Sequence, residues 1–152
     1  MHDRRDFMGH SLKLALLLGG AGLLPTAAQA AWNEKAFEAK TVADLAKALG
    51  APAPAESKDV TLTAPEIAEN GAVVRMGVAT SMPGVRRMML LVEKNPNVLA
   101  AMFDVGDSVD ANFSTNVKMG QSSNVYAVAQ LADGRMAFTV KEVKVTLGGC
   151  GG

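Results

Sequence analysis

The sequence predicts a mostly β protein: an immunoglobulin-like antiparallel β-sandwich, preceded by a short N-terminal helical segment and followed by a flexible glycine-cysteine C-terminal arm. Three observations lead there. From residue 60 onward apolar residues recur with period two in short runs, turn signals separate the runs, and no stretch between them has the 3.6-residue period of a helix. About seven such strands, each dry on one face, bury those faces as two packed antiparallel sheets.

The first 30 residues stand apart from this pattern. Asp3-Arg4-Arg5-Asp6-Phe7-Met8 is a twin-arginine signature, followed by an apolar run from Leu12 to Leu24 and by Ala28-Gln29-Ala30, a small-x-small cleavage site. The run contains Lys13 and several glycines and falls short of the roughly 20 residues that span a bilayer, so a cleaved signal is expected rather than a membrane anchor. Cleavage after Ala30 would release a folded protein into the periplasm by the twin-arginine route.

Loss of the signal changes the chemical inventory. Both histidines, His2 and His10, go with it, which excludes a Ser-His-Asp or Cys-His site and any histidine-ligated metal. Arg4, Arg5, Lys13, Asp3 and Asp6 also go, leaving 12 of 15 basic and 13 of 15 acidic residues, so no basic surface for nucleic acid is implied. With one cysteine there is no internal disulfide framework and no thiolate metal site, and the core must be hydrophobic.

The helical segment follows, within residues 31–58. A short turn is expected from Glu34 to Ala39. Thr41-Val42-Ala43-Asp44 is a capping box, and Val42, Leu45, Ala46 and Leu49 make one apolar stripe that stops at Gly50, with Pro52 beyond. Residues Ala51 to Lys58 hold two prolines and read as a linker. Strands are then expected at Val60–Thr63, Ala72–Ala79, Arg87–Glu93 and Val98–Phe103, divided by Pro83-Gly84 and Asn95-Pro96-Asn97. The cleanest alternation sets Ala111, Phe113, Thr115, Val117 and Met119 against Asp110, Asn112, Ser114, Asn116 and Lys118. Asn124–Leu131 and Arg135–Val140 flank Asp133-Gly134, a hairpin turn signal. Val143, Val145 and Leu147 continue the apolar face on odd numbers, whereas Met136, Phe138 and Val140 were even, and this slip predicts a bulge near Lys141-Glu142. The sandwich domain is thus expected at 59–147 and the arm at 148–152.

Other candidate sites weigh less. The nine methionines interleave with strand positions and form no compact soft-ligand cluster for copper. Asp104, Asp107 and Asp110 lack the remaining ligands of a calcium loop and read as turn acids. No metal site is expected.

The arm carries the chemistry. Gly148-Gly149-Cys150-Gly151-Gly152 places the only cysteine between two pairs of glycines, in a tail thin enough to enter another protein's cleft. No cation, histidine or helix N-terminus lies beside it in the sequence to hold a thiolate, so Cys150 reads as a cargo site activated by another protein's active site. Three extended steps from Leu147 span roughly 10 Å, enough to reach into a shallow channel. The competing reading is a structural or binding β-sandwich whose cysteine forms an intermolecular disulfide.

The ending Val143-Lys144-Val145-Thr146-Leu147-Gly148-Gly149-Cys150-Gly151-Gly152 resembles that of the SoxY family, the sulfur-carrier subunits of the bacterial Sox thiosulfate-oxidising system. Ala64-Pro65-Glu66-Ile67-Ala68-Glu69-Asn70-Gly71, Lys94-Asn95-Pro96-Asn97, Val117-Lys118-Met119 and Asp133-Gly134 also resemble the family. The resemblance implies a periplasmic carrier, not itself an enzyme, with Cys150 as the covalent sulfur attachment point and Gly148, Gly149, Gly151 and Gly152 as its arm. It implies no cofactor beyond the sulfur or thiosulfonate group on Cys150. It implies SoxZ as the heteromeric partner and transient docking to SoxAX, which conjugates thiosulfate to the thiol, to SoxB, which removes sulfate, and to SoxCD where present.

Overall fold

A computed structural model describes residues 34–147; residues 1–33 and 148–152, which hold the expected signal segment and the expected arm, lie outside the described residues. Two short helices come first, α1 (Glu34–Glu38) and α2 (Val42–Ala48). The N-cap half of the expected capping box forms at α2, where the Thr41 side chain accepts the Asp44 N–H at 3.0 Å, and a replacement of such a cap by alanine costs about 1 kcal/mol. Gly50, with φ of 66°, ends this segment as expected.

Nine strands follow: β1 (Ala55–Glu56), β2 (Val60–Thr63), β3 (Ile67–Ala68), β4 (Val74–Thr80), β5 (Val85–Val92), β6 (Leu99–Asp104), β7 (Asn112–Val117), β8 (Ser123–Leu131) and β9 (Met136–Val145). The larger sheet has the order β1-β9-β8-β5-β6, with β3 also on β9, and the smaller has β2-β4-β7. The longer strands pair antiparallel, giving the two-sheet immunoglobulin-like sandwich the alternation implies. Between the sheets lies a core built from Val74, Met76, Val78, Met88, Leu90, Val92, Val117, Met119, Val125, Ala127 and Val143. Phe103 on β6 stacks on Phe113 on β7 at 4.8 Å and so ties the two sheets together.

A second core lies on the other face of the larger sheet. There Ala36, Ala39, Leu45 and Ala46 of the helical segment cover Met89, Leu91, Val98, Leu99, Val128 and Met136. This third layer explains one departure from the sequence reading. The β8–β9 register runs unbroken from Gln130 opposite Met136 to Ser123 opposite Val143, so there is no bulge at Lys141-Glu142. Met136 and Phe138 are apolar because the helices pack on the outer face, while Val143 and Val145 are apolar because they face the inner core. The helical cover stops short of Val140, which is exposed, and from there only the inner face needs to be dry.

The linker reading of 51–58 also missed β1, which pairs parallel with Ala137 and Phe138. At the other end of the same edge β3 pairs parallel with Lys144 and Val145. Two short stubs therefore cover the free edge of β9, which otherwise would offer ladder groups to another strand. Among the described residues no helix is long and apolar enough to cross a membrane.

Candidate functional site

The predicted site residues Gly148, Gly149, Cys150, Gly151 and Gly152 lie outside the described residues, so the site is defined by what precedes them. β9 leads straight into that segment. Its alternation persists to the end, with Val143 fully buried and Val145 half-buried in the inner core and Lys144 and Thr146 exposed. The alternation holds to Thr146 and stops there, because Leu147, expected on the same face as Val143 and Val145, is exposed.

Main-chain bonds hold the last residues of β9 on both edges. On one side the Lys144 N–H donates to Glu66 O at 2.9 Å, the Thr146 N–H to Ala68 O at 3.1 Å, and the Thr146 hydroxyl to Glu69 O at 3.1 Å. On the other, the Val145 N–H donates to Ser122 Oγ at 2.9 Å. Leu147 O accepts the Gly71 N–H at 2.7 Å, and Gly71 O in turn accepts the Met119 N–H at 2.7 Å. Gly71 is buried and links three segments: the loop before β4, the end of β7 and the end of β9. Each bond contributes on the order of 1 kcal/mol, and together they carry the anchorage to the carbonyl of Leu147. Hydrogen bonds thus hold the chain as far as Leu147.

Sequence reasoning missed this clamp. The stretch Ala64–Gly71 holds only Ile67 and Ala68 as a strand, too short to show alternation, and its pairing with β9 uses main-chain groups that any residue except proline supplies. The one legible signal is Asn70-Gly71, whose Asn70 Oδ1 accepts the Ala72 N–H at 2.9 Å in a local turn.

The surface round the root is apolar where a solvated strand end is normally polar. Ile67, Val73 and Leu147 are 58%, 63% and 66% exposed, and two of them lie on segments bonded directly to one another through β3 and Gly71. The charged side chains here, Glu66, Glu69, Lys118 and Lys144, are exposed and mixed in sign. Among the described residues no three potential ligands of the His, Cys, Asp or Glu type meet in one place.

The family model described as sulfur oxidation protein SoxY matches residues 45–150, which takes in the sandwich, the root and Cys150. The chain belongs to the SoxY family. It is similar to the sulfur carrier protein SoxY from Chlorobium limicola f thiosulfatophilum, with 36% identity over 68% of this chain and 93% of that one and a TM-score of 0.61. More distant likenesses are to a superoxide reductase (neelaredoxin) from Ignicoccus hospitalis, at 18% identity over 57% of this chain and 78% of that one with a TM-score of 0.51, and to one described as putative from Thermotoga maritima, at 15% over 60% and 93% with 0.52. At such identities they share the sandwich fold alone. No curated protein matches the chain. The SoxY match begins within α2, so α1 and the Thr41 cap lie outside the part this chain has in common with the family model.

Proposed function

We propose that this SoxY-family chain is a periplasmic carrier that holds sulfur intermediates of thiosulfate oxidation covalently on Cys150 and presents them to successive Sox enzymes. The observation that carries this is the join at residue 147: a strand bonded on both edges ends there, and the only cysteine follows three residues on, within the family match and between glycine pairs. A fixed root sets where the thiol starts, and glycines let enzyme sites close round it without side-chain conflict.

The chemistry needs nothing from the carrier beyond the thiol. In the first step a bond forms between Cys150 Sγ and the outer sulfur of thiosulfate. One proton goes to solvent and two electrons go to the haem enzyme SoxAX. SoxB then uses water to cleave the bond between that sulfur and the sulfonate, which leaves as sulfate while a persulfide stays on Cys150. SoxCD, where present, oxidises the remaining sulfane sulfur. Covalent attachment keeps each intermediate from being lost between visits. SoxZ is the expected heteromeric partner, and the exposed Ile67, Val73 and Leu147 round the root offer an apolar rim to the mouths of the visited enzymes.

Replacing Cys150 by serine in a reconstituted thiosulfate-oxidising mixture tests the assignment. Turnover is expected to fall to background while the melting temperature and SoxZ association stay as in the wild type. Retained turnover would contradict it, and loss of nothing but a covalent homodimer would move the cysteine to a structural role.

A further inference from the structure

We propose that Asn70-Gly71 is a spontaneous deamidation site held shut by the hydrogen bond from Gly71 to Leu147, and that its conversion to isoaspartate unfastens the root of the arm. Of the asparagines in the chain, Asn70 alone is followed by glycine. The others precede proline, which has no N–H, or residues whose Cβ obstructs attack by the main-chain nitrogen, and glycine has no Cβ. Asn70 is exposed, so its carboxamide can lose ammonia to solvent, whereas Gly71 is buried.

In the reaction the Gly71 nitrogen attacks Asn70 Cγ. The bond between them forms, the bond from Cγ to Nδ2 breaks, and the Gly71 proton leaves with Nδ2 as ammonia. Water then opens the succinimide and returns a proton to the Gly71 nitrogen. Opening at Cγ gives aspartate, and opening at the former main-chain carbonyl of residue 70 gives isoaspartate. Two hydrogen bonds act on the first step in opposite senses. The Ala72 N–H donates to Asn70 Oδ1 at 2.9 Å and so faces the oxygen that becomes negative when Cγ is attacked. The Gly71 N–H donates to Leu147 O at 2.7 Å, and the attacking nitrogen must give up that proton, so this bond has to open first.

Conversion acts back on the clamp. While the ring stands Gly71 has no N–H, and Leu147 O loses its donor. Isoaspartate routes the main chain through Cβ and Cγ of residue 70, which lengthens it by one carbon–carbon bond, about 1.5 Å. The added length falls between two halves of the clamp: Ala68 and Glu69, whose carbonyls accept the Thr146 N–H and hydroxyl, and Gly71, which holds Leu147 and Met119. A shift of that size exceeds the range of hydrogen-bond distances, so the two halves no longer match Thr146 and Leu147 together. The chemistry is independent of the carrier function; its effect on sulfur transfer rests on that function.

The test incubates full-length protein, folded and unfolded in guanidinium chloride at one pH and temperature, and maps the Asn70 peptide for aspartate and isoaspartate by mass and isoaspartyl methyltransferase labelling. Conversion is expected about tenfold slower in the folded chain, the protection that one hydrogen bond gives. Thr146→Val, which removes only the hydroxyl bond to Glu69 O, is expected to raise the folded rate severalfold and leave the unfolded rate alone. In isolated isoaspartyl protein the Thr146 amide is expected to exchange its hydrogen faster than in the wild type. Equal rates in the folded and unfolded chains would overturn the proposal, as would a Thr146→Val rate equal to the wild type's. So would an unfolded chain that keeps Asn70 intact, or an isoaspartyl protein whose Thr146 amide exchanges as slowly as before. Absent thiosulfate turnover in the wild type, with these conversion and exchange results as expected, would sink the carrier function and leave the deamidation site standing.

Discussion

The two ends of the sandwich are finished in different ways. At the end away from the arm root lie the three ion pairs found among the described residues: Arg86 with Asp107 and Arg87 with Asp104 at 2.6 Å, and Arg135 with Asp133 at 2.7 Å. Gly84 and Gly134, at φ of 75° and 87°, make its tight turns. That end pairs three arginines with carboxylates and, apart from Val109, turns its large apolar side chains inward. At the arm end the loops are held by main-chain bonds through Gly71 and Ala68 and by the Ser122 hydroxyl, which accepts the Val145 N–H, while Ile67, Val73 and Leu147 stay uncovered. Apolar exposure is thus greater at the end that leads to Cys150, which is the contrast that the proposed docking requires.

The contrast is sharpest across residue 147 itself. Thr146→Pro removes the N–H bonded to Ala68 and the hydroxyl bonded to Glu69, and should cost about 2–3 kcal/mol of stability as well as slowing sulfur transfer. Gly149→Pro should slow transfer with the melting temperature unchanged, because it stiffens the segment beyond the clamp. Thermal melts and turnover measured side by side check both. Equal loss of stability in the two variants would place Gly149 within the folded core and erase the boundary.

A smaller effect is expected from the rim. Ile67→Asp and Leu147→Asp change exposed side chains, so stability should move by no more than about 0.5 kcal/mol, while KM for the carrier rises severalfold in each enzyme assay. An unchanged KM would remove the apolar rim from the docking surface. The matching change at the far end, Asp107→Asn, breaks a pair whose members are 56% and 87% exposed, and should leave KM alone and stability within about 1 kcal/mol.

The smallest effect concerns pH. The Asp133 carboxyl is held below its usual range by the Arg135 backbone N–H first and by the guanidinium next. A depressed folded-state value stabilises above the unfolded carboxyl pKa and loses that contribution as pH falls through the folded value. Asp133→Asn should therefore flatten the acid limb of the stability curve slightly and change nothing at neutral pH beyond the lost contact. A larger effect in acid than at neutral pH would reverse the sign of this linkage.

Legibility in the sequence follows the same physics. β7 was readable because one face is core and the other water, so Phe113, Thr115 and Val117 alternate cleanly with Asn112, Ser114 and Asn116. β9 was misread because its outer face is covered by helices over Met136 and Phe138 and open beyond, and a change of cover looks like a change of register. β1 and β3 left no trace because two-residue parallel pairing depends on main-chain groups alone. Cys150 stood out as a candidate because it is the one cysteine and sits between two pairs of glycines. The clamp at Gly71 and the rim at Ile67 and Val73 were not, because exposure and long-range main-chain bonds belong to the tertiary fold.

The most direct measurement is the intact mass of protein isolated from periplasm, before and after a thiol reductant, with fragment mapping of every adduct. A carrier shows reductant-labile sulfur or sulfonate additions confined to the peptide that contains Cys150, on a chain that starts at Ala31. A bare chain, or a disulfide dimer of itself with no sulfur addition after growth on thiosulfate, would contradict covalent carriage at Cys150.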